Sequence, residues 1–180
     1  MRRTVLLKAL RPDLVIEPLR GNLDTRLKKL DAGQYAGIVL AAAGLKRLGL
    51  QERIRAVFEV DEMLPAPGQG ALGLEVLEKR GDVIEALSGL SHQSTWLAVS
   101  AERAVSRAMG GSCSMPLAAH ATMQGEYLTL HAAWGDLEKP GRILRSHTTQ
   151  EVADIEAAQA LGAWVAQQLI DQGAKLQSLT

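Results

Sequence analysis

The order of apolar and polar positions divides the chain into short elements of two kinds. "TVLLKAL" reads as a helical segment stopped before Pro12, and "LVIEPL" as a strand with "RGN" at its end. "LDTRLKKLDAG" spaces Leu23, Leu27 and Leu30 for one helix face, with Asn22 as N-cap and Gly33 as stop. "YAGIVLAAAG" is a continuous apolar run of the kind a buried parallel strand shows, and "LKRLGL" follows as a helical turn. This β-α-β-α order predicts an α/β layer structure. "LPAPGQGALGLEV" then breaks the texture with prolines and glycines, predicting a crossing or hinge followed by a strand, and "DVIEALSGL" a short helix.

From about residue 91 the pattern changes. "STWLAVSAERAVSRAMGG" predicts a helix capped by Ser94 or Thr95, with Leu97, Ala101, Ala104 and Ala108 on its inner face. "GEYLTLHAAWG" alternates as a half-buried strand does, and "RILRSHTT" is a pairing partner for it. "EVADIEAAQALGAWVAQQLIDQG" predicts a long amphipathic helix ending near Gly173. Strands flanked by helices give an α+β domain. The three tryptophans, Trp96, Trp134 and Trp164, fall in helix and strand settings that suggest core positions.

Composition narrows the chemistry by exclusion. A formal net charge of zero gives no global field for nucleic acid or membrane binding, so an anion site must come from local arginines. Aromatic residues at 3% are too few for a base-stacking surface. No apolar run is long enough to span a bilayer, and "MRRTVLLKALRPD" is not a signal peptide, so a cytoplasmic location is expected. The single cysteine, Cys113, rules out an internal disulfide and any zinc site built from several cysteines. His92, His120, His131 and His147 lack metal-ligand spacing.

Arg20 and Arg47 follow the two strand candidates, and ligands of parallel sheets sit at the carboxyl ends of strands. With Arg2, Arg3 and Arg26 they suggest a polyanion pocket, because guanidinium forks grip carboxylates and phosphates; solvated surface arginines are the bland alternative. Cys113, in "GGSCSMP", follows a helix C-terminus, where the dipole disfavours a thiolate. It reads as a small buried turn residue, a reactive or modified thiol, or a metal ligand, and the residues leave these open. An unrelated α/β enzyme with a Cys113 nucleophile is one such reading. "GQGALG" lacks the lysine of a phosphate-binding loop and reads better as a hinge.

Taken in order, "RGNLDTR", "AGLKRLG", "PAPGQGA" and "GGSCSMP" resemble the hydroxymethylbilane synthase (porphobilinogen deaminase) family along nearly the whole chain. The resemblance implies condensation of four porphobilinogen units with release of ammonia. It implies a dipyrromethane cofactor, joined by a thioether to Cys113, and arginines (Arg2, Arg3, Arg20, Arg26, Arg47) that hold acetate and propionate groups, with Gln69 near the cofactor. The implied ligands are porphobilinogen and its oligomers, with neither nucleic acid nor membrane as partner and no metal.

The family's first domain, with its catalytic aspartate in an "HSMKD"-like stretch, has no counterpart in these residues. The expectation is therefore a portion lacking that domain. It would consist of a partial, periplasmic-binding-protein-like second domain (1–70), a return segment (71–90) and a C-terminal α+β domain (91–180). Such a chain would be inactive alone, self-associating or exchanging strands, with cofactor loading uncertain; a non-catalytic remnant or complementing half is the alternative.

Overall fold

The computed structural model describes residues 1–111, 115–139 and 141–176; Cys113 lies outside them. Contacts divide the chain into two compact units, Met1–Asp13 with Val60–Thr180, and Leu14–Glu59.

The larger unit is built on an antiparallel sheet of β1 (Leu117–Gln124), β2 (Tyr127–Gly135) and β3 (Ile143–Glu151), in that order. The β1–β2 connection is a two-residue turn, with Gln124 facing Tyr127 across it. On one face lie α5 (Gln93–Ala108) and α6 (Ile155–Asp171). Their Leu97, Ala101, Val105, Leu161, Val165 and Leu169 close over Leu128, Leu130, Ala132 and Trp134 of β2 as one core. The two helices touch most closely at Gly162, where a Cβ would collide with the Ala101 carbonyl oxygen and stand 2.6 Å from the Ala104 Cβ. The opposite face is covered at one end by α1 (Arg2–Leu10), whose Leu6 packs with Leu64, Ala118 and Ala133. Gly135 of β2 leaves room for Val5, against which any Cβ would clash.

Further along that second face, cross-strand pairing aligns His120, His131 and His147, one from each strand. The His131 and His147 rings stack with centroids 5.5 Å apart. Burial first, then the neighbouring His147, His120 and Arg145, pushes His131 below its ordinary 6.5, while Asp61 opposes them.

The smaller unit holds α2 (Leu23–Asp31), α3 (Ala42–Arg47) and a single 3₁₀ turn at Gln51–Arg53. Asn22 caps α2 as expected, its side chain accepting from the Thr25 N–H at 2.8 Å. An Arg53–Asp31 ion pair at 2.5 Å ties the 3₁₀ turn to the end of α2. Between residues 81 and 88 the larger unit carries one more helix, α4 (Gly81–Ser88).

The mixed helix-and-sheet class is as read, but several elements are not. "LVIEPL", "YAGIVLAAAG" and "LGLEV" carry no strand. An apolar run becomes a buried parallel strand only beside neighbours that complete its ladder, and these segments meet none; Val15 and Leu72 are 87% and 81% exposed. The helix at 93–108 starts earlier than expected, with His92 rather than Ser94 or Thr95 as N-cap, and its inner face runs through Val105 and Met109 rather than Ala108. Only Trp134 is a core tryptophan; Trp96 and Trp164 lie on the outer sides of α5 and α6, about half exposed.

Two measurements follow. Gly162→Ala forces the two helices apart and should lower unfolding free energy by about 1–3 kcal/mol in urea titration; an unchanged midpoint would contradict the close packing. Because His131 is held below the value it has when unfolded, the unfolded state takes up more protons as pH falls through 6.5. Thermal stability should therefore decline on acidification from about pH 7 to about pH 5, less steeply in His131→Asn. Equal slopes for the two proteins would remove His131 from the account.

Candidate functional site

Two side chains fix the loop of residues 65–70, and both come from helices. From α5, the buried Glu102 accepts the Gly68 N–H at 2.6 Å through one carboxylate oxygen and the Ala121 N–H at 2.7 Å through the other. Gly68, beside Val99 of α5, takes a left-handed φ of +75°, which glycine adopts without strain. His120 Nδ1 stands 3.6 Å from the same carboxylate. From α1, Arg2 donates to the Leu64 carbonyl and, at 2.8 Å, to Gln69 Oε1. Gln69 Oε1 also accepts the Ala66 N–H at 3.2 Å, which closes the loop on itself.

The structure thus brings together Arg2 and Gln69, two residues far apart in sequence and both singled out from it. Arg2 is half-buried, and burial, with Arg3 beside it, lowers its guanidinium to about 10. Its recorded acceptors are neutral, and no carboxylate pairs with it among the described residues. Both arginines also occupy the first turn of α1, which has no acidic residue and no side-chain cap. The positive end of a helix dipole favours anions there, not cations. Arg2's half-buried guanidinium at a helix N-terminus is therefore a positive locus suited to a carboxylate.

Arg20, Arg26 and Arg47 belong to the smaller unit. Arg26 Nε donates to the Gly21 carbonyl at 2.8 Å, which sets Arg26 at the same "RGN" turn as the exposed Arg20. Arg47 is the last residue of α3 and exposed. Neither Arg20 nor Arg47 sits at the carboxyl end of a strand, because the strands read before them do not form.

The helix before Cys113 ends as its twin glycines predict. Gly111 N–H reaches the Ser106 carbonyl at 2.8 Å and Gly110 N–H the Arg107 carbonyl at 3.1 Å, with Gly110 at φ +105°. This is a Schellman closure, in which a left-handed residue satisfies the last free carbonyls. Among the described residues no three His, Cys, Asp or Glu side chains converge as a metal site.

Glu102 was not singled out from the sequence; an acid between apolar residues of an amphipathic helix was its only signal. Glu102→Gln exchanges one acceptor oxygen for a donor and leaves one backbone N–H unmet. The expected loss is about 1–3 kcal/mol, with faster hydrogen exchange at the Gly68 or Ala121 amide. Unaltered exchange at both amides would refute the clamp.

Residues 1–85 match the family model described as porphobilinogen deaminase, dipyromethane cofactor binding domain, and residues 96–171 match its C-terminal domain. A porphobilinogen deaminase of Albidiferax ferrireducens is 66% identical over 94% of the chain, which covers 54% of that relative. Those of Burkholderia mallei and Burkholderia pseudomallei are each 53% identical over 97% of the chain and 53% of their own length. The chain thus spans about half the length of the curated relatives it matches. With both halves of its length matched in the order of one protein, the chain belongs to the porphobilinogen deaminase family.

Proposed function

We propose that the chain acts as the arginine-bearing and cysteine-bearing part of a hydroxymethylbilane synthase, a transferase of tetrapyrrole (haem) biosynthesis. The whole enzyme would join four porphobilinogen units head to tail on a dipyrromethane cofactor and release ammonia. The observation that carries the reading is the half-buried Arg2, which among the described residues meets Gln69 but no carboxylate.

The donor set fits the cofactor. Each pyrrole unit brings an acetate and a propionate, and Arg2 presents a forked donor at a helix N-terminus with no acidic first turn; Arg3, the next residue, shares the role. Arg20, Arg26 and Arg47 extend the same role in the smaller unit. Gln69, fixed by Arg2, orients a polar amide toward the bound ligand. Cys113 is the covalent anchor; its place after a helix C-terminus suits a thiol that needs position rather than a low pKa. When bound, the cofactor supplies the pyrrole carbon to which the next unit is joined.

These 180 residues contain no "HSMKD"-like stretch. General acid–base help worth roughly 10²–10⁴-fold would come from residues outside this span. Residues 1–70 would be part of a periplasmic-binding-protein-like domain, 71–90 would return to the family's first domain, and 91–180 would form the C-terminal domain. The exposed apolar chain at Val15, Leu72, Leu74 and Leu77 favours pairing, with that first domain or with a second copy. A cytoplasmic setting goes with this role.

Co-production with the N-terminal half of the Albidiferax ferrireducens relative tests the reading. Intact mass under denaturing conditions should show an addition of two linked pyrrole units, absent in Cys113→Ser, and the pair should consume porphobilinogen. Neither adduct nor turnover would overturn it. The chain alone should turn over negligibly, and light scattering should find it larger than a monomer; a monodisperse monomer would dismiss the pairing. In the active pair, Arg2→Gln should cost at least tenfold in kcat/KM, about 1.4 kcal/mol of lost carboxylate contact.

A further inference from the structure

We infer that the larger unit carries a small-molecule site at one end of its sheet, shaped for a neutral single-ring compound with one carbonyl oxygen. The site is a cavity of about 220 Å³. It lies between Met115 and Pro116, just before β1, Asp136 to Glu138, just after β2, and Lys175 and Leu176, beyond α6. Trp134 of β2 forms a further wall. This side chain is only 4% exposed, and its indole N–H has no acceptor among the described residues. Buried polar groups are nearly always met, so an orphaned donor on a cavity wall marks a missing partner. The indole N–H can only donate, so that partner must bring an acceptor.

Water suits the cavity poorly. A buried water is held by about three hydrogen bonds, and the charged groups here are already engaged. Asp136 accepts the Glu138 and Lys139 N–H groups and pairs with Arg142 at 3.5 Å. Glu138 pairs with Lys175 at 2.5 Å. The other walls, Met115, Pro116, Leu137 and Leu176, are apolar. These facts define the occupant. Its body is apolar, and it is neutral because the charges around it are matched with each other. An apolar cavity of about 150 Å³ holds one benzene ring, so this one holds a ring with a short arm. A carbonyl on that arm supplies the acceptor for Trp134. Leu137 and Leu176 are about half exposed, and an occupant would cover them.

The site asks nothing of Cys113, of the Arg2–Gln69 pair or of the function proposed above. The test therefore uses the full chain without cofactor or turnover. With ¹⁵N-tryptophan and ¹³C-methyl-methionine labels, acetophenone should move the Trp134 indole proton downfield and the Met115 methyl with it, along one saturable curve. The Trp96 and Trp164 signals should stay in place. α-Methylstyrene, which has the same shape with a methylene in place of the oxygen, should bind about tenfold or more weakly. In Trp134→Phe, which keeps an aromatic wall and loses the N–H, the two compounds should bind alike, as read at Met115. Leu137→Trp, a change at a half-exposed position that fills the cavity, should abolish binding.

Shifts that do not saturate, or that fall equally on Trp96 and Trp164, would overturn the site. Equal affinity of the two compounds for the parent would overturn the carbonyl contact. Tighter binding of benzoate than of acetophenone would overturn the neutral class. Where Trp134→Phe does not fold, the comparison of the two compounds on the parent decides the contact, and Leu137→Trp decides the place. A folded Leu137→Trp with unchanged acetophenone affinity would overturn the site as well.

Discussion

The arrangement of the larger unit turns on the Glu102 carboxylate. A buried acid is costly unless its oxygens are met, and here one oxygen takes an N–H from the 65–70 loop and the other takes one from β1. Helix, loop and sheet are therefore held by one group. The loop in turn supplies Gln69 to Arg2, and Arg2 keeps its place because α1 is seated on the sheet through Val5 against Gly135 and Leu6 against Ala118 and Ala133. The 65–70 loop is distant in sequence from both helices that hold it, α1 and α5. That is why an ordinary "SAER" segment matters more to the site than the glycine-rich loop it secures.

The charge pattern has a corresponding logic. Elsewhere the helices obey the macrodipole: α2 begins with Asp24 and ends with Lys28 and Lys29, and α6 is capped by Asp154 with Glu156 behind it. Only α1 reverses the rule among the helices with a charged first turn, placing Arg2 and Arg3 at the positive end. Burial, with Arg3 beside it, lowers the Arg2 guanidinium to about 10, so holding its charge there is unfavourable in the free protein. Such a cost is retained where the charge serves a ligand, and a carboxylate at this locus would meet the arginines and the free helix N–H groups together.

Local signals made much of this legible in the sequence. Helix stops at Gly33, Gly110 and Gly173 were visible because each glycine takes a positive φ that other residues resist. The β2 and β3 strands were visible because one face is buried and the other partly open, which writes an alternation into the residues. The β1 strand was invisible for the opposite reason. Ala118 faces α1 while Leu117 and Ala119 face the helical core, so the start of "LAAHATMQ" is buried on both sides and does not alternate. Of the site, Arg2 and Gln69 were each singled out, Gln69 through the family resemblance. Its pairing with Arg2 was not, since contacts across such a separation leave no periodic trace.

Burial also separates the two units in kind. The continuous core runs from Leu97 to Ala174 and needs nothing from the first ninety residues beyond what α1 and Leu64 add to the far face. Between residues 14 and 59 only Leu27 and Leu45 are buried. Two such side chains offset little of the conformational entropy lost by ordering that length of chain. A ligand or partner bound at Arg20, Arg26 and Arg47 would stabilise the segment by mass action. The larger unit carries a continuous core of its own, whereas the smaller unit would draw added stability from anything it bound.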